Sequence, residues 1–553
     1  MGASGGSSHN IGYDQLLVLD LSQNFTNQDT FPYSSILKSP DVPNGLIEGS
    51  LWYSPATRKI YQLGGWFSFN SDTDPGFMQL NDIPESAIWE FDIDLERWSK
   101  LTDFNYTGVG TKIDRPGAAA YCDAPALNKS FVFEGYVQQR SDHDYITYDQ
   151  SSEFKFLEGM LVLDTSPAVA RPTLTNTSVP VSLGDNKNKP FGPRMNGAMV
   201  HVPIGDKGIV VFLGGQVTVD PTPYGIPKKG ANAGNDNIQN TFVDIYDIGT
   251  GYWFRQKTFG IPDIPSGRSD ICAVVVPAKD NSSYNIYMVA GVENYATYIT
   301  SEEIWVLSLP TFQWVLVHTR TDGMYGHTYH VVGENLLIIG GMQTNKTAGG
   351  TNVKSCSSHM PAEIFDLVSQ NYTGIFNAEG ANRQAPVPSQ VVNAIGGTVD
   401  GGAYKTSPLE WSDTWLQYVM NPALTAPAPY NPPYELVIPN KNDTPSGNGT
   451  ATEPSGSGSG SNKGALIGGV VGGVVGGLIL ITLIAIFFIV RRKKRREANR
   501  QSTQSQMSEM PGGSSYVYDK KHSYGVPPPL MQMEPAELPV PIAASEIEIT
   551  LAA

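Results

Sequence analysis

The residues best suited to chemistry in this chain fall into three groups. Gly326-His327-Thr328-Tyr329-His330 is the densest, with two imidazoles and a phenol in five positions, side chains that bind transition metals. On a strand, however, His327 and His330 point to opposite faces, so one centre cannot easily use both. The other two groups sit in long segments between candidate strands. Gly65 to Asn81 carries Trp66, Phe67, Phe69, Asp72 and Asp74, and Tyr136 to Tyr148 carries Arg140, Asp142, His143, Asp144 and Tyr145. Aromatic rings stack on apolar faces and carboxylates accept hydroxyl hydrogen bonds, a combination that suits a sugar or a protein partner. The same side chains can equally pack on one another to cap the scaffold. No nucleophile elbow, zinc spacing or phosphate loop accompanies them. The expectation is a binding site without a metal, cofactor or catalytic residue.

Such loops need a rigid frame, and the frame is written as an internal repeat. Segments alternating apolar residues around an Asp recur at Val18-Leu19-Asp20-Leu21, Glu90-Phe91-Asp92-Ile93, Val162-Leu163-Asp164, Ile245-Tyr246-Asp247-Ile248 and Ile364-Phe365-Asp366-Leu367, with Ser replacing Asp in Val306-Leu307-Ser308-Leu309. Six residues after the Asp or Ser, four copies place an aromatic: Trp98, Trp253, Trp314 and Tyr372. Upstream of five of them lie β-branched and aromatic runs that stop at a glycine pair or its remnant: Gly64-Gly65, Glu134-Gly135, Gly214-Gly215, Ala290-Gly291 and Gly340-Gly341. A strand halted this way turns through positive φ or passes close to another backbone. A further small-residue strand is opened by Arg115-Pro116-Gly117-Ala118, Arg194-Met195-Asn196-Gly197 or Arg268-Ser269-Asp270-Ile271. Each unit is therefore a four-stranded antiparallel sheet. Sheets that cannot bury both faces alone must stack around an axis.

These marks resemble the kelch repeat, and the resemblance implies an all-β, six-bladed β-propeller. Five blades run from Glu48 to Phe376. The sixth is expected to be split, with Val18 to Leu21 joined by Gln390-Val391-Val392-Asn393-Ala394-Ile395-Gly396-Gly397 from the other end. That blade is one strand short, which, with the absence of an apolar leader in Met1 to Asn10, suggests a native start further upstream. The resemblance extends to the single-pass kelch proteins of filamentous fungi. Galactose oxidase, a copper radical enzyme on kelch blades, supplies the enzymatic alternative; its copper needs Tyr and His ligands and a Tyr-Cys crosslink. The imidazoles of the later blades here are His201, His318, His327, His330 and His359.

Outside the repeat, Gly464 to Val490 is uncharged and is followed at once by Arg491, Arg492, Lys493, Lys494, Arg495 and Arg496. A helix of that length reaches roughly 40 Å, enough for the roughly 30 Å of a bilayer core. The basic block keeps the C-terminus cytosolic, places the head outside a membrane, expected to be the plasma membrane, and can contact anionic lipid. The expected domains are a head over 1–420, a Pro/Ser/Thr/Gly-rich stalk over 421–463, a span over 464–490 and a Pro-rich tail over 491–553. Gly468, Gly472 and Gly476 are spaced for helix pairing and hence a homodimer, and Pro527-Pro528-Pro529 could dock an SH3- or WW-type adaptor. Sequons at Asn24, Asn105, Asn128, Asn176, Asn281, Asn345, Asn371, Asn442 and Asn448 all precede the span, fitting N-glycosylation outside the cell. The chain carries a net charge of −16, which disfavours nucleic acid as a partner. Cys122, Cys272 and Cys356 allow at most one intrachain bridge. A purely structural surface protein is the remaining alternative.

Overall fold

Alternating apolar patterning, short turns and glycine pairs produce five antiparallel sheets arranged as a β-propeller. The computed structural model describes residues 15–437 except 28–30, 40, 44–45, 69–76, 108–112, 149–153, 158, 181–193, 218–236, 295–298, 302, 321–322, 345–352, 355–361, 426 and 431–435. Blade one comprises Ile47–Ser54, Lys59–Trp66, Trp89–Asp92 and Arg97–Lys100. Blade two comprises Ala120–Ala124, Lys129–Phe133, Met160–Asp164 and Thr173–Thr177. Blade three is Ala198–Val202, Ile209–Leu213, Phe242–Asp247 and Trp253–Lys257. Blade four is Cys272–Pro277, Tyr284–Val289, Glu303–Leu309 and Gln313–Thr319. Blade five is Gly323–Val332, Asn335–Thr344, Ala362–Asp366 and Asn371–Tyr372. In every blade the strands pair in sequence order. Blades two and four gain a parallel outer strand, Asn105–Thr107 and Phe259–Ile261.

The repeated residues each hold one joint of this frame. The Asp that ends the third strand accepts from the backbone two residues on, as Asp92 does from Asp94 N, Asp164 from Ser166 N and Asp366 from Val368 N. The spaced aromatics fill the gaps between blades. Trp253, 1% exposed, packs on Phe212 of its own blade and Phe133 of blade two. The second glycine of each pair has φ of 83–100° at Gly65, Gly135, Gly215, Gly291 and Gly341. Its N–H crosses to the next blade: Gly65 to Pro116 O, Gly135 to Arg194 O, Gly215 to Arg268 O and Gly291 to Met324 O, at 2.8 to 3.0 Å. The first position tolerates Glu134 and Ala290 at φ of 51° and 55°, so the remnants seen in the sequence keep the glycine that cannot be replaced.

The arginines that open the inner strands are buried, or nearly so in the case of Arg320. Arg194 meets Asp244 at 2.5 Å and lies 5.7 Å over the Phe133 ring; Arg268, fully buried, reaches Glu303 and the hydroxyls of Ser266 and Ser301; Arg320 pairs with Glu363 and lies 4.4 Å over Tyr372. Each guanidinium has a carboxylate partner, as burial of a charge requires.

The sixth blade differs from expectation. Strand β1 (Gln15–Leu19) pairs with β3 (Tyr33–Leu37) in a two-stranded sheet, and β2 (Phe25–Thr26) between them pairs with Ile375–Phe376. Leu19, Phe25 and Phe31 pack on blade five, while Leu16 and Ile36 pack on Phe91 and Trp98 of blade one. Gln390 to Gly397, expected as the closing strand, is instead helical: α1 spans Ser389–Ile395. Val391, Ala394 and Ile395 fall on one helical face and pack beside Val315 and Val317 of blade four.

The segment after Phe376 forms a strap that retraces the blades in reverse. Arg383 pairs with Glu334 at the blade-five hairpin, and Lys279 with Asp400 at the blade-four hairpin. Helix α2 (Thr414–Met420), capped by Asp413 accepting from Trp415 N, buries Leu416 and Val419 against blades three and four. The Tyr430 ring lies tilted, 4.4 Å from that of Tyr252, and its hydroxyl donates to Trp253 O. The strap ends at Leu436–Val437, paired with Val179–Pro180.

Among the described residues no helix is long and apolar enough to cross a membrane. The expected span with Gly468, Gly472 and Gly476, the basic block Arg491 to Arg496 and the tail lie outside the described residues. Cys122 and Cys272 are unpaired thiols in separate blades, and burial pushes the Cys272 thiol up to about 12; Cys356 is outside the described residues.

Candidate site at the channel lip

The inner strands begin at the axis, each with one residue of positive φ: Glu48, Ala118, Asn196, Asp270 and Gly326. These five are linked in a chain of backbone hydrogen bonds. Ala118 N donates to Glu48 O, Asn196 N to Ala118 O, Asp270 N to Asn196 O and Gly326 N to Asp270 O. Glu48 and Asp270 occupy equivalent left-handed positions in this ring, close enough for the Glu48 charge to act on Asp270. Solvent reaches the Glu48 side chain even though protein surrounds the lip.

Glu48 Oε2 accepts from Trp66 Nε1 at 3.0 Å and from the Tyr136 hydroxyl at 3.4 Å. Enclosure by the lip pushes the Glu48 carboxyl above its usual range, against the lowering effect of both donors. Asp270 rises to about 8, first through desolvation and then through the negative charge of Glu48. The negative charge of Glu48 thus disfavours ionisation of Asp270.

A stability slope follows. The folded state holds the Asp270 proton up to about pH 8, whereas the unfolded chain releases it near the ordinary 3.8. Its contribution is therefore complete below about pH 4 and declines as pH rises towards 8. Asp270→Asn is expected to raise the thermal midpoint at pH 8 while leaving it unchanged at pH 4. Parallel scans of both proteins at the two pH values test this, and equal shifts at both would refute it.

The loop residues singled out in the sequence divide sharply. Trp66 joins the lip. Phe67 is fully buried under Arg115, whose guanidinium lies 5.1 Å from the ring and donates to Pro84 O and Glu85 O. Arg140 covers Phe77 at 4.8 Å and donates to Met78 O. Asp142, with no exposed surface, accepts from Ser86 N and Asp144 N. Tyr145 is 8% exposed and bonded to Asp114. These four side chains sew the loops of blades one and two together; they leave little surface for a ligand. His143 and Asp144 are exposed on the same loop. Asp72 and Asp74 lie outside the described residues.

Glu48, Tyr136 and Asp270 were not singled out as site residues by sequence reasoning. The signal available was the alignment of inner-strand openings, which sets Glu48 beside Ala118, Asn196 and Asp270.

The histidine cluster does not fit copper. His327 is 3% exposed, its ring 4.5 Å from Tyr329, and burial drives it down to about 3. His330 is exposed on the opposite face. No group of three or more His, Cys, Asp or Glu gathers for a metal among the described residues.

No family model matches the chain. A kelch repeat-containing protein of Arthroderma benhamiae is 25% identical over 452 residues, covering 72% of this chain and 60% of that protein. The chain thus spans 60% of that relative's length. The solved structure of YjhT aligns with a TM-score of 0.39 and 14% identity, over 67% of this chain and 96% of that one.

Proposed function

We propose that this kelch-type β-propeller is the binding head of a surface-anchored protein, and that its ligand docks at the lip formed by Glu48, Asp270, Trp66 and Tyr136. The observation that carries the reading is the pair of carboxylates. The Glu48 charge acts on Asp270, neither carboxylate has an ion-pair partner among the described residues, and ring donors orient Glu48. Such a lip suits a ligand rich in hydroxyl or ammonium groups, and a glycan of the cell surface or wall is the class we favour. His143 and Asp144 are exposed on the loop that follows Tyr136.

Anchorage rests on the uncharged run Gly464 to Val490 and the basic block after it. Asn24, Asn105, Asn281 and Asn371 are exposed and Asn128 and Asn176 half-buried, while Asn345, Asn442 and Asn448 lie outside the described residues; exposure of this kind suits attached sugars. Pairing of the spans, lipid contact by the basic block and docking of an SH3- or WW-type module on the tail would relay occupancy inward.

The test is binding of the purified full chain to an array of neutral, amino and acidic glycans. Glu48→Gln with Asp270→Asn is expected to weaken a specific hit about tenfold or more, the loss of one charge-assisted hydrogen bond of ~1.5–3 kcal/mol. Trp66→Ala should weaken it as well. A blank array with a folded head would transfer the lip to a protein partner. We assign no catalytic role; copper bound stoichiometrically to the purified protein would overturn that.

A further inference from the structure

Between blade five and blade one the fold builds half a blade. Strand β1 carries the third-strand signature, and its Asp20 accepts from Ser22 N at 2.9 Å as the matching Asp residues do in blades one, two and five. Strand β3 takes the place of the outer strand. In each complete blade the third strand also bonds to a second strand on its inner side. The β1–β3 sheet has two strands, and no second strand lies on the other edge of β1 among the described residues.

Exposure marks the same place. The inner-strand residue three positions after the left-handed one faces the preceding blade. Met199 and Tyr329 are 3% and 6% exposed there, Tyr121 stands at 37%, and Leu51 of blade one is 47% exposed with Tyr53 at 40%. On the opposite wall, His330 of blade five is exposed where the matching Trp52 and Val200 are buried. Val18 of β1 is 42% exposed, while its counterparts Ile245, Val306 and Ile364 are all at 0%. Both walls and the back of this opening therefore present surfaces that most of the other blades cover.

We propose that this opening receives two β-strands of polypeptide of the type used in the complete blades: a small-residue inner strand, then a β-branched strand ending in Gly-Gly that pairs antiparallel with β1. The edge of β1, unpaired among the described residues, supplies a ladder of N–H and C=O groups, and Leu51, Tyr53 and Val18 supply apolar contacts. Strand addition uses both at once. A sugar or small anion can satisfy neither, because it lacks a backbone ladder and an alternating apolar face.

The probe is a synthetic peptide of Arg194–Gly215, the two inner strands of blade three, added to the full chain beside a scrambled control. Amide exchange within Gln15–Leu19 is expected to slow by about tenfold or more as an edge becomes a central strand, and the thermal midpoint to rise. Leu51→Asp and Tyr53→Asp, at positions open enough to leave the fold intact, should abolish both effects. Unchanged exchange at saturating peptide, equal protection by the scrambled peptide, or β1 amides already protected in the chain alone would each overturn the proposal.

Discussion

Replacing Asp244 with Ala is expected to lower the stability of the head by about 3–5 kcal/mol, the cost of leaving a buried charge without its partner. Asp244 is 3% exposed and accepts from two guanidiniums, Arg194 at 2.5 Å and Arg255 at 2.7 Å. Arg194 is 2% exposed and also joins two blades: its N–H donates to Glu134 Oε2 and its carbonyl accepts from Gly135 N. Removing the carboxylate strands a cation that is only 2% exposed. Asp244→Asn should cost less, because the amide oxygen still accepts. The double variant Arg194→Met with Asp244→Leu should recover much of the loss, since an apolar pair leaves no orphaned charge. Denaturant titration of the four proteins reads this directly. A loss below about 1 kcal/mol for Asp244→Ala would mean that the pair is solvated.

The second large effect concerns a methyl group. Gly215→Ala is expected to cost about 2–4 kcal/mol, from a strained backbone and an overpacked joint. At φ of 90° a Cβ would stand 2.8 Å from Met195 O and 3.0 Å from Gly197. Relief by backbone movement would break the bond from Gly215 N to Arg268 O that ties blade three to blade four. Ala290→Gly, at the first position of a pair, should shift stability by less than about 1 kcal/mol, because relief of left-handed strain opposes the added unfolded-state entropy. Thermal unfolding of both variants separates the positions, and equal destabilisation would refute the assignment of different roles.

Much of the scaffold was legible because each repeated residue does a local job. The Asp turn, the glycine pair and the aromatic six residues on all follow from bonds within one blade or to its neighbour. Closure was not legible in the same way. Val391-Val392 and Gly396-Gly397 imitate a strand ending in a glycine pair, yet Val391, Ala394 and Ile395 also lie on one helical face, and packing against blade four selects the helix. Composition alone left two periods open there. The lip was harder still, since Glu48 and Asp270 belong to different repeats and meet only when the strands converge on the axis. Loop composition misled for a related reason. Phe67, Arg140 and Asp142 have the chemistry of a binding surface, but two long loops side by side satisfy that chemistry in each other.

The strap also sets how the head bears load. Tension from the C-terminal side of Val437 meets the two-residue pairing with Val179–Pro180 first, then the Tyr430 and Trp415 rings, then α2 and α1. Each is a small contact that peels in turn, and only afterwards does tension reach the outer strand of blade five. Paying out about 60 residues of strap at roughly 3.3–3.6 Å each releases on the order of 200 Å of slack. Under pulling from that side the strap is therefore expected to yield in steps before the blades do, as a serial mechanical fuse.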